Sequence, residues 1–203
     1  MLHGSGGNTS FINSLGNRLD SIIRVAPQGY GNQWNVDAEA NTDAPDVDFI
    51  RNLILELKTY SNVDVTDFSV YGSSNGSGMV NRLILELSAS SFQKAAGKVS
   101  QMITKMYQSS TFRAAPLNDH SYSQIITPAT GRKIINICGI ADGAVPYLGG
   151  SGVGSNFMDA QESIFRIAQA MGYSGSQILD AAGVPGDGIT RPADIVEYDY
   201  LGG

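Results

Sequence analysis

The chain has 203 residues, of which 42% are hydrophobic and 16% charged, a composition typical of one globular domain with a sizeable core. The net charge of −6 argues against nucleic-acid and anionic-membrane partners, because no cluster of Lys and Arg offsets it. One cysteine, Cys138, excludes an internal disulfide, no apolar run approaches the length of a membrane span, and no Cys/His cluster indicates a metal site. We therefore expect a single domain over residues 1–203 without a metal or other cofactor.

The first fifth of the chain is rich in Gly and polar residues. Residues 1–8 are predicted to leave a strand and enter a Gly-rich loop, which either offers N–H groups to an oxyanion or is only a mobile N-terminal loop. A helix is predicted over 11–19 and a buried strand over 22–27. The polar loop 28–44 contains the only tryptophan, Trp34, which either lines a cleft as a substrate-binding residue or plugs the loop onto the core.

The stretch around Gly72-x-Ser74-x-Gly76 carries the clearest pattern. A helix that begins with Asp46 as its predicted N-cap comes before it, then a β-prone apolar run, and apolar residues at helical spacing follow it. Strand, tight turn and helix are the context that a nucleophile elbow requires, with a strained serine beside the first free N–H groups of a helix. The alternative is an ordinary Gly/Ser turn, since the five-residue pattern alone is weak. We predict that Ser74 Oγ projects from the carboxyl edge of a sheet.

The rest of the chain continues to alternate predicted strands and helices. This alternation predicts a mostly parallel sheet with right-handed crossovers. Gly172 is expected to end the helix that precedes it. Helices are predicted over 91–107, 156–171 and 176–182, and strands over 112–116, 133–138 and 194–201.

An elbow serine needs a base to take its proton and an acid to orient that base. Asp142 fits the acid because it follows a predicted buried strand at the sheet edge expected for Ser74, although Asp-Gly is also a common turn signal. No histidine follows Asp142 in the chain. His3 is expected to brace the Gly-rich loop. His120 follows a short predicted strand, so it is the candidate stand-in base, the alternative being a solvated loop residue.

Five segments along nearly the whole chain carry further motifs. They are L-H-G-S-G-G at 2–7, A-P-Q-G at 26–29 with Trp34-Asn35, D-V-D-F-I at 46–50, the turn 72–76 with Met79, and G-I-A-D at 139–142 with V-P-Y at 145–147. In this order they resemble the extracellular polyhydroxybutyrate depolymerase and feruloyl or acetyl-xylan esterase group of α/β-hydrolases. The resemblance implies an α/β fold, the α/β-hydrolase three-layer sandwich with a mostly parallel central sheet.

The same resemblance implies roles for single residues. Ser74 is the implied nucleophile and Asp142 the implied acid. The implied oxyanion hole consists of the backbone N–H of Asn75 and that of Ser5 or Gly6.

Three features depart from the family pattern. Ser77 stands where a second Gly is usual, and Cys138 stands where a His-Gly pair is usual before the acid loop. The third departure is the catalytic histidine, which the family places after one further strand that this sequence does not contain. The strands that usually precede the oxyanion loop are missing as well. We therefore expect a reduced sandwich without the N-terminal strands and the last C-terminal strand, either the middle of a longer esterase or a naturally minimal one.

The function implied is that of a serine carboxylic-ester hydrolase acting on short-chain or aromatic acyl esters, small or polymer-borne, through an acyl-enzyme. The alternative is a catalytically impaired, hydrolase-like scaffold that binds a ligand or partner near Trp34. Missing edge strands would expose backbone and apolar surface, which favours association such as a homodimer. The resemblance suggests secretion, whereas no signal peptide precedes the loop, so the compartment stays open.

Overall fold

The structure, a computed structural model, describes residues 1–19, 21–38, 42–116, 118–178, 190–191, 195–196 and 200. Within these ranges the fold is mixed α/β, with three α-helices, a three-stranded parallel sheet and several small antiparallel sheets. No helix of the described ranges is long and apolar enough to cross a membrane.

The regular elements follow one another in the order of their labels within each type. The α-helices are α1 (Asp46–Leu57), α2 (Asn75–Glu86) and α3 (Ala160–Ala170). The strands are β1 (Ser69–Ser73), β2 (Lys94–Lys98), β3 (Tyr107–Gln108), β4 (Thr111–Ala114), β5 (Gln124–Ile126), β6 (Lys133–Ile137), β7 (Gly150–Gly152), β8 (Ser155–Phe157), β9 (Thr190–Arg191) and β10 (Ile195–Val196).

The parallel sheet has the strand order β1-β2-β6, with Gly72, Gly97 and Asn136 in register across it. On the other side of β1, Leu2 forms a parallel bridge to Gly72. The Leu2 N–H donates to the Tyr71 carbonyl at 2.7 Å, and the Leu2 carbonyl accepts the Ser73 N–H at 3.2 Å. Because these strands are parallel, the loops that leave β1, β2 and β6 start at the same edge of the sheet.

Helix α2 covers one face of this sheet, and most of its length is buried. Small residues on the strands allow the close approach, since a Cβ at Gly97 would collide with the Ser77 hydroxyl. The opposite face is only partly covered. Phe11 stacks on Tyr71 there, but Ile135 and Ile137 of β6 are 63% and 55% exposed.

A buried arginine closes the far end of α2. The Arg132 guanidinium donates to the carbonyls of Ile84 and Leu87, both at 2.7 Å, and stacks on Phe92. The last carbonyls of a helix have no intrahelical partner, so a cation placed there satisfies them and also complements the helix dipole. Helix α2 is thus fixed at the end remote from Ser74.

The prediction of a helix over 91–107 is wrong. This segment contains β2 and a 3-10 turn, Thr104–Met106. The apolar residues that produced the helical spacing are buried by tertiary packing, and Ala95 and Gly97 lie on the strand face turned toward α2 because only small side chains fit beneath it.

The N-terminal predictions also need correction. Instead of one helix over 11–19 there are two 3-10 turns, Thr9–Asn13 and Gly16–Leu19. No residue of 22–27 lies in a strand, although the N-terminal ammonium donates to the Val25 carbonyl at 2.8 Å. Asp46 is the first residue of α1 rather than its N-cap, and its carboxylate accepts the backbone N–H of Asn35 at 2.7 Å instead of capping the helix.

Most later elements are confirmed with shifted bounds. Strand β4 overlaps the predicted strand 112–116 and β6 lies within the predicted strand 133–138. However, β4 pairs antiparallel with β3 and β5 in a separate sheet, and β6 is half exposed rather than buried. Helix α3 begins at 160, after β8, and Gly172 ends it with a φ of 110°. The predicted helix 176–182 and strand 194–201 fall largely outside the described residues, apart from the antiparallel pair β9–β10.

Candidate active site at the turn between β1 and α2

Ser74 forms the single-residue turn between β1 and α2, and its backbone has φ 55° and ψ −124°. A non-Gly residue at positive φ stores strain of about 1–3 kcal/mol and persists only where its surroundings impose it. Here the Ser74 N–H donates to the Lys98 carbonyl at 2.8 Å, and its own carbonyl accepts the Ser77 N–H at 2.8 Å. The half-buried side chain makes no hydrogen bond to any described residue.

The two glycines of the motif are required by backbone contacts. A Cβ at Gly72 would collide with the carbonyl of Gly76, and a Cβ at Gly76 would collide with the carbonyl of Leu2. The first turn of α2 therefore packs directly on the end of β1 and on Leu2, and this packing forces Ser74 into its strained conformation. The predicted strand, tight turn and helix are confirmed.

The Gly-rich loop lies beside the serine. A Cβ at Gly4 would be 3.3 Å from Ser74 Cβ and 3.9 Å from Ser74 Oγ. The Gly6 N–H donates to the Asn32 carbonyl at 2.8 Å, whereas no described residue accepts the N–H of Ser5. The first residue of α2, Asn75, also has an N–H without an intrahelical acceptor. Of the two loop donors expected from the sequence, only Ser5 therefore keeps a free N–H.

His3 braces this loop, as its sequence position indicated. The side chain is 1% exposed, Nε2 accepts the Gly29 N–H at 3.1 Å, and Nδ1 lies 2.8 Å from the Gly4 carbonyl. A neutral ring with its proton on Nδ1 satisfies both contacts. Because both ring nitrogens are occupied, His3 has none to offer to Ser74.

Trp34 is completely buried, so the alternative of a plug holds and the assignment of Trp34 as a substrate-binding residue is wrong. Its Nε1 donates to the His3 carbonyl at 2.9 Å, and the rings of the two residues lie 5.0 Å apart. The side chain of Asn75 clamps the Trp34 backbone from the other side, accepting its N–H at 2.7 Å and donating to its carbonyl at 3.0 Å. This pair fixes the orientation of the residue that follows Ser74.

Asp142 lies five residues beyond the end of β6 and accepts two backbone N–H groups, from Ala144 at 2.8 Å and Val145 at 3.0 Å. The bonds from Val145 and Ala144 lower the pKa of Asp142 below its ordinary value, so the carboxylate is ionised at neutral pH. The Asp142 carboxylate thus stabilises a turn at Asp142-Gly143, the alternative to a catalytic acid that the sequence indicated. No described histidine contacts it.

Cys138 lies close to Asp142, at the end of β6. Burial, together with the charges of Asp142 and Asp159, raises the pKa of its thiol to about 11. Since the thiolate is the reactive form, Cys138 is a poor nucleophile here.

His120 does not take the expected place. The strand before it, β4, belongs to the antiparallel sheet, so His120 does not follow a strand of the sheet that carries Ser74. Its Nε2 lies 3.2 Å from the Thr42 carbonyl, and it lines a surface groove with Tyr30 and Pro45. In the described part of the chain, no hydrogen bond joins His120 to Ser74 or Asp142.

Sequence reasoning missed the end of β2 as a part of this site. The Lys98 carbonyl anchors Ser74, and the next residue, Val99, has a φ of 62° and donates its N–H to the Ile137 carbonyl at 2.8 Å. A β-branched residue at positive φ is a strong sign of imposed strain. The sequence predicts a helix in this segment, and no local signal indicates that the end of β2 joins the turn after β1 to the end of β6, the strand that leads to Asp142.

Among the described residues, no group of three or more His, Cys, Asp or Glu side chains is arranged to hold a metal ion. Comparison of the chain with known proteins found no matching family model, no similar curated protein and no similar solved structure.

Proposed function

We propose that this chain is a serine carboxylic-ester hydrolase that acts on short-chain or aromatic acyl esters, with Ser74 as nucleophile. The observation that carries the proposal is the strained, half-exposed serine at the carboxyl end of a parallel strand, directly before the N-terminus of α2. The order Leu2-β1-β2-β6, with α2 on one face, is compatible with a reduced α/β-hydrolase sandwich.

In the proposed reaction, Ser74 Oγ attacks the ester carbonyl carbon, and the carbonyl oxygen takes up the negative charge. The N–H groups of Asn75 and Ser5 then donate to this oxyanion, an interaction worth several kcal/mol in serine hydrolases. Collapse of the intermediate breaks the bond to the alcohol and leaves an acyl-Ser74, which water hydrolyses.

The rate of this reaction depends on which group accepts the proton of Ser74. His3 is bonded on both nitrogens and His120 is bonded to Thr42, so no described histidine is hydrogen-bonded to the serine. We propose Asp142 as the acid of the site and retain His120 as the candidate base to be tested. Loss of a triad member costs several powers of ten in rate, so we expect slow turnover confined to activated esters.

A fluorophosphonate probe tests the nucleophile directly. Mass spectrometry of the treated protein is expected to find the adduct on Ser74, and Ser74→Ala is expected to lose it. The matched control is Ser73→Ala, one residue away in β1, which is expected to keep the adduct. A folded protein that gives no adduct, or an adduct elsewhere, would refute the proposal.

Nitrophenyl acetate hydrolysis then tests the base. If His120 takes the proton, His120→Ala slows the reaction nearly as far as Ser74→Ala does. Equal rates for the parent protein and His120→Ala eliminate His120 as the base. Fast turnover of an unactivated ester that is insensitive to His120→Ala would contradict the expected impairment.

The second candidate is a hydrolase-like scaffold that binds an ester or a partner without turning it over. The absence of a histidine hydrogen-bonded to Ser74 in the described residues favours it. The two candidates separate on one result, because a scaffold without an activated serine gives no fluorophosphonate adduct while its fold remains intact.

A further inference from the structure

A second candidate site is the groove, of about 570 Å³, that contains His120. This volume lies in the range of small-molecule sites. Its described lining has three polar side chains that reach solvent, those of Tyr30, Asp43 and His120, beside the apolar side chains of Ala38, Ala44 and Pro45. Apart from His120, the candidate base, no residue of this groove has a role in the proposed esterase chemistry.

The aromatic ring in the groove is exposed but its backbone is held firmly. Tyr30 is 74% exposed and begins the 3-10 turn Tyr30–Asn32. The Gln33 N–H donates to the Tyr30 carbonyl at 3.1 Å, and the Asn32 carbonyl accepts the Gly6 N–H at 2.8 Å. A ring on such a fixed turn presents its π face to a ligand without further ordering of the backbone.

The charge of the groove is negative. Asp43 is exposed, and no described residue forms an ion pair or a hydrogen bond with its carboxylate. No Lys or Arg is among the described residues that line the groove. His120 contacts the Thr42 carbonyl through Nε2, so in the neutral ring that nitrogen donates and Nδ1 is left as an acceptor.

An exposed aromatic face combined with an unpaired carboxylate is the arrangement that attracts organic cations. A neutral aromatic ligand would stack on Tyr30 equally well but would gain nothing from Asp43, and an anion would be repelled. From this combination we propose that the groove binds a small organic cation of the alkylammonium type, with the ammonium group over the Tyr30 ring and beside Asp43.

The test compares choline with 3,3-dimethylbutan-1-ol, which has nearly the same shape and no charge. Both are titrated into the parent protein and binding is followed by NMR shifts of the groove residues. We expect saturable binding of choline that is tighter than that of the neutral alcohol by about 3- to 30-fold, the range of a cation–π contact. Equal affinities for the two compounds, or no saturable choline binding, would overturn the proposal.

Four substitutions at exposed positions locate the site. Tyr30→Ala and Asp43→Asn are each expected to weaken choline binding about 3-fold or more. Asp43→Asn is expected to leave the affinity for the neutral alcohol unchanged. The controls are Tyr60→Ala, another exposed tyrosine, and Asp67→Asn, which changes the net charge equally; both are expected to leave choline binding unchanged. If the control variants weaken choline binding as much as the groove variants do, the cation is held only by the general charge of the protein, and the assignment of the groove as its binding site fails. Ser74→Ala is expected to bind choline like the parent, which keeps this test separate from that of the esterase.

Discussion

Replacing Ser74 by glycine is expected to give a more stable protein than replacing it by alanine, the reverse of the usual order of these two residues. The reason is the backbone of Ser74, whose φ of 55° and ψ of −124° suit glycine and strain every residue with a Cβ. Neither variant has the hydroxyl, and that hydroxyl makes no hydrogen bond to a described residue. The comparison therefore isolates the backbone strain of the turn.

The magnitude follows from two opposing contributions. Relief of the strain at this position favours glycine by about 1–3 kcal/mol. The greater freedom of glycine in the unfolded chain opposes it by about 0.4–1 kcal/mol. From the middle of both ranges, the net difference in the free energy of unfolding is about 1.3 kcal/mol in favour of glycine, which in a chain of this length raises Tm by about 3–5 °C.

Differential scanning calorimetry on the two variants measures this difference, with Ser73 as the matched control. Ser73 lies in β1 with extended backbone, so Ser73→Gly is expected to be less stable than Ser73→Ala by about 0.5–1 kcal/mol. Opposite signs at two adjacent serines are thus expected. If Ser74→Gly unfolds at or below the temperature of Ser74→Ala, the turn is not strained in solution and the main argument for the site fails.

Two further predictions concern the surroundings of the turn. Gly76→Ala is expected to abolish the folded state or to destabilise it by more than about 3 kcal/mol, because its Cβ would collide with backbone atoms that cannot move aside. The control is Gly143→Ala, which has open space around the new Cβ and is expected to leave urea unfolding unchanged. Asp142 has a lowered pKa in the folded protein, so its charge stabilises the fold above the ordinary carboxyl pKa and this contribution is lost as the pH falls through the lowered value. The parent is therefore expected to exceed Asp142→Asn in Tm at about pH 6 and to approach it at about pH 3; a difference that stays constant over this range would contradict the assignment of the bonded carboxylate.

The turn between β1 and α2 could be predicted from the sequence because part of its cause is local. Gly72 is required by the carbonyl of Gly76, only four residues later in the chain, whereas Gly76 is required by the distant Leu2 carbonyl. The Schellman-type end of α3 at Gly172 was predictable for the same reason, since its hydrogen bonds span only five residues.

Strand β2 could not be predicted, because its sequence, K-A-A-G-K, has little preference for a strand. What makes it one is its position between β1 and β6 and the need for small residues beneath α2. The apolar residues around it are spaced as on a helix, but they are buried from both sides by elements distant in the chain. Periodicity alone does not distinguish these two causes of burial.

The details of the candidate site depended on contacts between distant segments. Whether Trp34 faced a ligand or the core was decided by its bonds to Asn75, 41 residues away. The choice between Ser5 and Gly6 as a second oxyanion donor was decided by the bond from Gly6 to Asn32. Such pairings are set by the folded chain as a whole, and no local pattern of the sequence specifies them.

The end of β2 also indicates how the two halves of the proposed site would act together. Ser74 is anchored to the Lys98 carbonyl, and Val99 is anchored to the Ile137 carbonyl at the end of the strand that leads to Asp142. The Lys98 carbonyl and the Val99 N–H belong to the same planar peptide group, so a shift at the Ile137 end of β6 would act on the strained turn through this one rigid unit. If no side chain takes the proton of Ser74, the proton leaves to solvent and hydroxide is its acceptor. The rate of acylation by an activated ester should accordingly rise with pH without a plateau near neutrality, whereas a plateau with a pKa near that of an imidazole would show that a histidine does reach Ser74 during the reaction.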